Sequence, residues 1–298
     1  MSNVDVASNE HSALAGTVSA LLGRVAEILA AARLPEPERE AVEIVAALLD
    51  VPRFWPSANA RGEADPKLVD AAMRAAAKRS TGAPLAYAVG RASFRHLTLD
   101  VDESVLIPRV ETELLVERVL ERADARIRTV ADIGTGSGAI ALSLAFERKF
   151  DCVVGTDISR GALAVAERNR KSLAGTLQSP VELLHGSFCA PLGSQRVDAV
   201  ISNPPYIAYS ERAALPASVR DWEPAIALLS SDDGLAATRC IIAQAPGVLS
   251  AGGILALEVD MRRAGSVAEM VLVQGSYVDV EVLLDLSGRE RFVFARRA

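Results

Sequence analysis

The chain has 298 residues, 50% of them hydrophobic, which is enough to bury either one large core or a catalytic domain with a smaller companion. Its 38 acidic residues outnumber 32 basic ones, and the net charge of -6 has the wrong sign for a protein whose affinity rests on neutralising phosphates. Three cysteines, Cys152, Cys189 and Cys240, stand far apart without CxxC spacing, which argues against a disulfide framework or a zinc site and for a reducing, cytoplasmic setting.

The N-terminal stretch, with Asp5, Glu10 and His11 among small residues, lacks the basic and apolar regions of a signal peptide, and no apolar run is long enough to span a bilayer. From about Ser12 to Ala83, alanine, leucine, glutamate and arginine at helical spacing predict a small helical bundle. Pro35, Pro52 and Pro56 punctuate it, and Pro66 suits the start of a helix. From Pro84 to Ile107 alternation takes over, with Phe94, Leu97, Leu99 and Val101 among polar residues, and predicts a hairpin.

Beyond Arg109 the rhythm is strand and helix in turn. A helix is expected over Glu111 to Ala123, a buried strand over Thr129 to Ile133 and a second helix from about Ser137. Further strands are expected at Cys152 to Thr156, Val181 to Leu184, Ala199 to Ser202 and Gly253 to Glu258, with Asp279 to Asp285 and Arg291 to Ala295 closing the sheet as an antiparallel pair. Such alternation makes an α/β domain, a mostly parallel sheet covered by helices on both faces.

The segment Asp132, Ile133, Gly134, Thr135, Gly136, Ser137 and Gly138 ends one strand and opens a helix, with glycines where the backbone must turn sharply and admit a ligand. The next strand ends at Asp157, about 20 residues on, where a carboxylate can accept from both ribose hydroxyls. Together they predict an adenosine-bearing cofactor, read here as S-adenosyl-L-methionine. Asp157 is also suited to cap the helix that follows, and the glycines to serve only a tight turn.

Asn203, Pro204, Pro205 and Tyr206 follow the strand ending at Ser202, on the expected active-site rim. Two successive prolines fix two φ angles and remove two donors, so carbonyl oxygens nearby are left aimed outward. If the Asn203 side-chain oxygen and the Pro204 carbonyl each accept from one planar NH2 group, its nitrogen lone pair turns toward the donated methyl group. Tyr206 is expected to flank the planar group and exclude water. The alternative is a proline-rich loop with no chemistry.

These residues resemble the HemK/PrmC family, the protein-glutamine N5-methyltransferases that modify the GGQ loop of peptide-chain release factors. The likeness spans nearly the whole chain: Gly82 to Tyr87 with Gly90, Phe94, Val105 to Glu113, the glycine-rich loop, Asn203 to Tyr206, Trp222 to Pro224, and Asp233 to Leu235. The resemblance implies a helical N-terminal substrate-recognition domain (1–83), a β-hairpin linker (84–108) and a class I, Rossmann-like methyltransferase domain of seven strands (109–298). It implies that Gly134 to Gly138 and Asp157 hold the cofactor, released as S-adenosyl-L-homocysteine, that Phe188 packs on its adenine, and that Asn203 to Tyr206 bind the acceptor amide. Phe94, Arg109, Glu111 and Thr112 would line the same pocket.

Val110, Ser187 and the run Asp260 to Arg263 depart from the family pattern. They read either as drift or as the mark of a relative that methylates a free amino acid, such as the guanidinium of arginine, for which Asp260 is a suitable counter-charge. A DNA adenine methyltransferase also presents Asn-Pro-Pro-Tyr to a planar amino group, but it needs base flipping and a basic groove that the acidic balance does not supply. A non-catalytic cofactor-binding module is a further alternative. His11, His96 and His185 lack metal spacing, so no metal is expected.

Overall fold

The computed structural model describes residues 16–298, so His11 and the start of the bundle around Ser12 lie outside the described residues. The chain forms two compact units. One runs to Arg91 and includes Ala217–Trp222, and the other comprises Ala92–Pro216 and Glu223–Ala298.

In the first unit, helices Val18–Ala31, Pro37–Leu49 and Pro66–Ser80 pack around a cluster that includes Leu21, Val25, Leu29, Ile44 and Ala76. Their starts follow from local chemistry. Thr17 accepts from the Ala20 N–H, Asp65 accepts from the Lys67 N–H at 2.7 Å, and Pro37 and Pro66 occupy first-turn positions where the missing N–H costs nothing. Arg79 reaches both oxygens of Glu40 at 2.7 and 2.8 Å and ties the last helix to the second. The expectation of a hairpin from Pro84 onward is corrected here, because Leu85–Val89 is a helical turn closed by Gly90 at φ 76°. Five residues are too few for a 3.6-residue period to be read.

In the second unit, β1 (Arg91–Phe94) and β2 (Leu97–Asp100) make the hairpin, followed by a helix over Val110–Arg122. The main sheet comprises β3 (Thr129–Ile133), β4 (Cys152–Asp157), β5 (Val181–His185), β6 (Val197–Ser202), β9 (Leu249–Glu258), β10 (Tyr277–Leu284) and β11 (Glu290–Arg297). Its seven strands lie in the order β10-β11-β9-β6-β3-β4-β5, with β11 antiparallel to both its neighbours, β10 and β9, and the other pairs parallel. Two short strands, β7 (Ile207–Ala208) and β8 (Leu229–Ser230), pair in parallel outside it.

Alternate residues of the strands feed two cores. Val130, Val153, Ala199, Ile201 and Phe292 join helices Val110–Arg122 and Ala139–Glu147 on one face. Ala131, Val154, Val200, Leu255 and Val293 join helices Ala236–Gln244 and Ala264–Gln274 on the other. The chain leaves β3 toward β4 on one side and returns through β6 on the other, so a crevice opens at the carboxyl ends of these strands. No helix among the described residues is long and apolar enough to cross a membrane.

Candidate active site

That crevice holds a cavity of about 480 Å³. Its walls include Gly134 to Ser137 after β3, Asp157 at the end of β4, Ser187 and Phe188 after β5, and Asn203 to Pro205 after β6. Both expected halves of the site, the glycine-rich loop and the Asn-Pro-Pro segment, therefore face one space. Ser202 Oγ donates to the Ile133 carbonyl at 2.6 Å and ties the ends of β6 and β3 together.

Gly134 and Gly136 adopt φ of 76° and 57°, and a Cβ on either would meet no atom within 4 Å. Their faces are thus open to the cavity they line. Gly138, at φ 85°, has another reason to be glycine, since a Cβ there would sit 2.9 Å from Leu142 Cδ1. It caps the helix from Ala139 and does not line the cavity. The loop is pinned by N–H bonds from Gly134 and Thr135 to the Thr156 carbonyl at 2.8 and 2.9 Å.

Asp132 is fully buried behind the loop, where one oxygen accepts from Thr135 Oγ1 at 2.6 Å and from the Ala141 N–H at 3.2 Å. It braces the loop rather than lining the cavity, and its Oδ1 has no hydrogen-bond partner. Burial pushes its carboxyl up to about 7. Asp157 accepts from the Gly136 N–H at 2.9 Å through one oxygen and from the Ser159 N–H at 2.8 Å through the other. Burial raises its carboxyl, and the Ser159, Gly136 and Ile158 N–H groups oppose that rise. The helix that follows is capped by Ser159, not by Asp157. Open glycine faces, a carboxylate held at the rim by N–H groups and the ring of Phe188 fit the adenosyl end of S-adenosylmethionine.

At the other end, Asn203 Nδ2 donates to Thr112 Oγ1 at 2.9 Å, and Thr112 Oγ1 donates to Glu258 Oε2 at 2.7 Å. Phe94, Arg109 and Thr112 line the cavity, whereas Glu111 is exposed on the first helical turn and Tyr206 is not among the lining residues. Tyr206 lies half-buried close to the Glu258 carboxylate, and burial raises its phenol. In place of Tyr206, Pro204, Pro205 and Phe94 line this part of the cavity, while Tyr209 and Ile226, 65% and 58% exposed, line it as well.

Two buried acids were not anticipated. Glu223 receives Arg109, and Glu258 receives Thr112. Glu258 carried a local sign, a charged residue ending the apolar run Ile254 to Leu257, but its partner lies 146 residues away. Asp260, considered as a counter-charge for a cationic substrate, is instead bound by Arg262 at 2.9 and 3.0 Å, with Arg263 at 3.6 Å. The case for free arginine as acceptor loses its support.

Comparison with known proteins gives the family to which the chain belongs. Residues 20–90 match the family model described as PrmC N-terminal domain, and residues 109–217 match the Methyltransferase small domain. The chain is 40% identical to a release factor glutamine methyltransferase of Moorella thermoacetica over 94% of its own length and 99% of the relative's. A protein of the same name from Xylella fastidiosa strain Temecula1 is 39% identical, over 90% of this chain and 96% of the relative. Among solved structures, the hMettl16 catalytic domain in complex with MAT2A 3′UTR hairpin 1 shares the fold, with a TM-score of 0.53 at 18% identity over 75% of this chain and 80% of that one.

Proposed function

Because the chain belongs to the release factor glutamine methyltransferase family, we propose that it transfers a methyl group from S-adenosylmethionine to the side-chain amide nitrogen of the glutamine in a release factor's GGQ loop. The observation that carries this reading is that Asn203 and the Gly134 to Ser137 loop open onto one cavity. In this reading Gly134, Gly136, Asp157 and Phe188 hold the cofactor, and Asp132 and Thr135 keep the loop in shape. S-adenosylmethionine, when bound, supplies a methyl group on an already activated sulfonium.

Asn203 Oδ1 and the Pro204 carbonyl each accept one hydrogen of the acceptor amide, which orients the nitrogen lone pair toward the methyl group. As the N–C bond forms and the sulfonium C–S bond breaks, leaving S-adenosyl-L-homocysteine, the nitrogen becomes more acidic, the two acceptors stabilise its developing positive charge, and one proton passes out along these hydrogen bonds to solvent. No general base is required. Positioning of this kind contributes about 7–11 kcal/mol in favourable cases. Phe94, Pro204 and Pro205 keep water from the reacting atoms, and the helical N-terminal unit is assigned to recognition of the release factor, a cytoplasmic partner.

The test uses methyl-labelled S-adenosylmethionine with a purified release factor, a GGQ peptide, free glutamine and free arginine in separate reactions. Label is expected on the glutamine of the release factor. Label confined to a free amino acid would overturn the assignment of the acceptor.

A further inference from the structure

The Asn203 side chain is held from behind by groups that the methyl transfer itself does not use. Thr112 lies in the first turn of helix Val110–Arg122, and Glu258 is the last residue of β9. Both are buried, at 5% and 1% exposure. We propose that Glu258, acting through the Thr112 hydroxyl, fixes the polarity of the Asn203 amide so that its oxygen, and not its nitrogen, is offered to the acceptor. This rests on the role given to Asn203 above.

The argument is one of donors and acceptors. A carboxylate can only accept, so the single hydroxyl hydrogen of Thr112 is committed to Glu258 Oε2, at 2.7 Å. What Thr112 turns toward Asn203 is then a lone pair. Only Nδ2 can meet it, as it does at 2.9 Å, which leaves Oδ1 free to accept from elsewhere, and Asn203 lines the cavity. Without an obligate acceptor behind it, the hydroxyl can donate to either neighbour and the amide can turn over. The turned amide offers N–H groups to an acceptor that also offers N–H groups, and no hydrogen bond results. The two orientations have nearly the same shape, so packing alone does not select between them.

Several groups converge on Glu258. Thr112 and Glu111 come from the helix, Tyr206 from the segment after β6 and Arg291 from β11, while Arg109 and Asp260 act on Tyr206. Burial pushes the Glu258 carboxyl up to about 7, with Glu111 adding to the rise and Thr112, Arg291 and Tyr206 opposing it. Protonation below that pH lets Glu258 donate, which releases the hydroxyl and removes the selection. Thr112 and Glu258 are thus positioning residues, and turnover carries an acid limb that belongs to neither substrate.

The full-length protein is tested with a release factor as acceptor. Thr112→Val keeps the volume and loses the hydroxyl, Thr112→Ser keeps the hydroxyl and loses a methyl group, and Glu258→Gln replaces an obligate acceptor with a side chain that also donates. T112V and E258Q are expected to lower kcat at least about tenfold with the Kd for S-adenosylmethionine unchanged, while T112S stays within about threefold of wild type. The opposite order, with valine tolerated and serine not, is the mark of packing and overturns the proposal. In 15N-labelled protein without acceptor, the Asn203 side-chain NH2 resonances are expected to shift through about pH 7 in wild type and to stay fixed in E258Q. Resonances that ignore both pH and E258Q overturn the relay. A wild-type protein that shows the shift yet leaves the release factor unlabelled refutes the acceptor and supports the relay.

Discussion

Arg109 places a single nitrogen, Nη2, 2.6 and 2.7 Å from the two carboxylate oxygens of Glu223, whose side chain is 1% exposed. The buried carboxylate has traded hydration for this partner. Arg109→Ala strands the charge, and a loss of about 1–3 kcal/mol in unfolding free energy is expected from urea titration. Arg109→Ala combined with Glu223→Ala is expected to cost less than the two single changes added together, because the second change removes the stranded group. Additive losses would mean that the pair is not coupled.

Gly234 adopts φ 87°, and a Cβ there would collide with the carbonyl oxygen of Tyr206. Gly234→Ala must therefore displace the Asn-Pro-Pro-Tyr segment or its own turn, which already holds Asp232 and Asp233 at φ 54° and 52°. A drop in kcat of about tenfold or more is expected, with cofactor affinity retained. Unchanged kcat would show that the segment tolerates the shift.

In the proposed reading, Asp157 offers the adenosine end a carboxylate that two N–H groups already hold. Asp157→Ala removes both the ligand contact and a brace on Gly136, whereas Asp157→Asn retains an acceptor for only one of them. Calorimetry is expected to show S-adenosylmethionine binding weakened at least about tenfold in both variants, equivalent to about 1.4 kcal/mol. A Kd equal to that of wild type in either variant would remove Asp157 from the cofactor site.

In the proposed mechanism, Asn203→Ala deletes an acceptor used only as the amide nitrogen reacts. Turnover is expected to fall at least about tenfold while the Kd for S-adenosylmethionine stays put. Near-normal turnover would end the mechanism proposed for this site.

Asp132 provides a pH signature of folding. Its carboxyl moves from 3.8 to about 7 through burial. Between those values the folded protein keeps a proton that the unfolded chain has released, so stability falls as pH rises from about 4 to about 7 and is level above that. Asp132→Asn removes this titration. Urea titrations without cofactor are expected to show the variant gaining on wild type between pH 5 and pH 8, and a constant difference across that range would contradict the assignment.

Much of this architecture can be read before any coordinates. Strands such as Thr129–Ile133 and Val197–Ser202 are covered on both faces, so they stand out as mainly apolar runs, interrupted at Asp132 and Asp198, that end at glycine or polar residues. The glycine loop and the Asn-Pro-Pro segment are local patterns whose place at strand ends follows from the same alternation. What stays hidden depends on distant partners. Thr112 meets Glu258 across 146 residues and Arg109 meets Glu223 across 114, and no spacing rule links either pair. Tyr206 was expected beside the acceptor because the motif is contiguous, yet a chain leaving a sheet turns successive side chains to different sides. The two-residue strands β7 and β8 are too short to leave any pattern.

Helix Val110–Arg122 begins only two residues before Thr112. A helix advances about 100° per residue, so the hydroxyl meets both Asn203 and Glu258 in one rotational setting alone. The helix is then a key whose cut is read at its first turn, and the length of the segment from Val101 to Arg109 sets how far the key is turned. One residue added or removed there would rotate the tooth out of the lock while leaving every motif in the chain intact, whereas the same change after Arg122 falls beyond the end that matters.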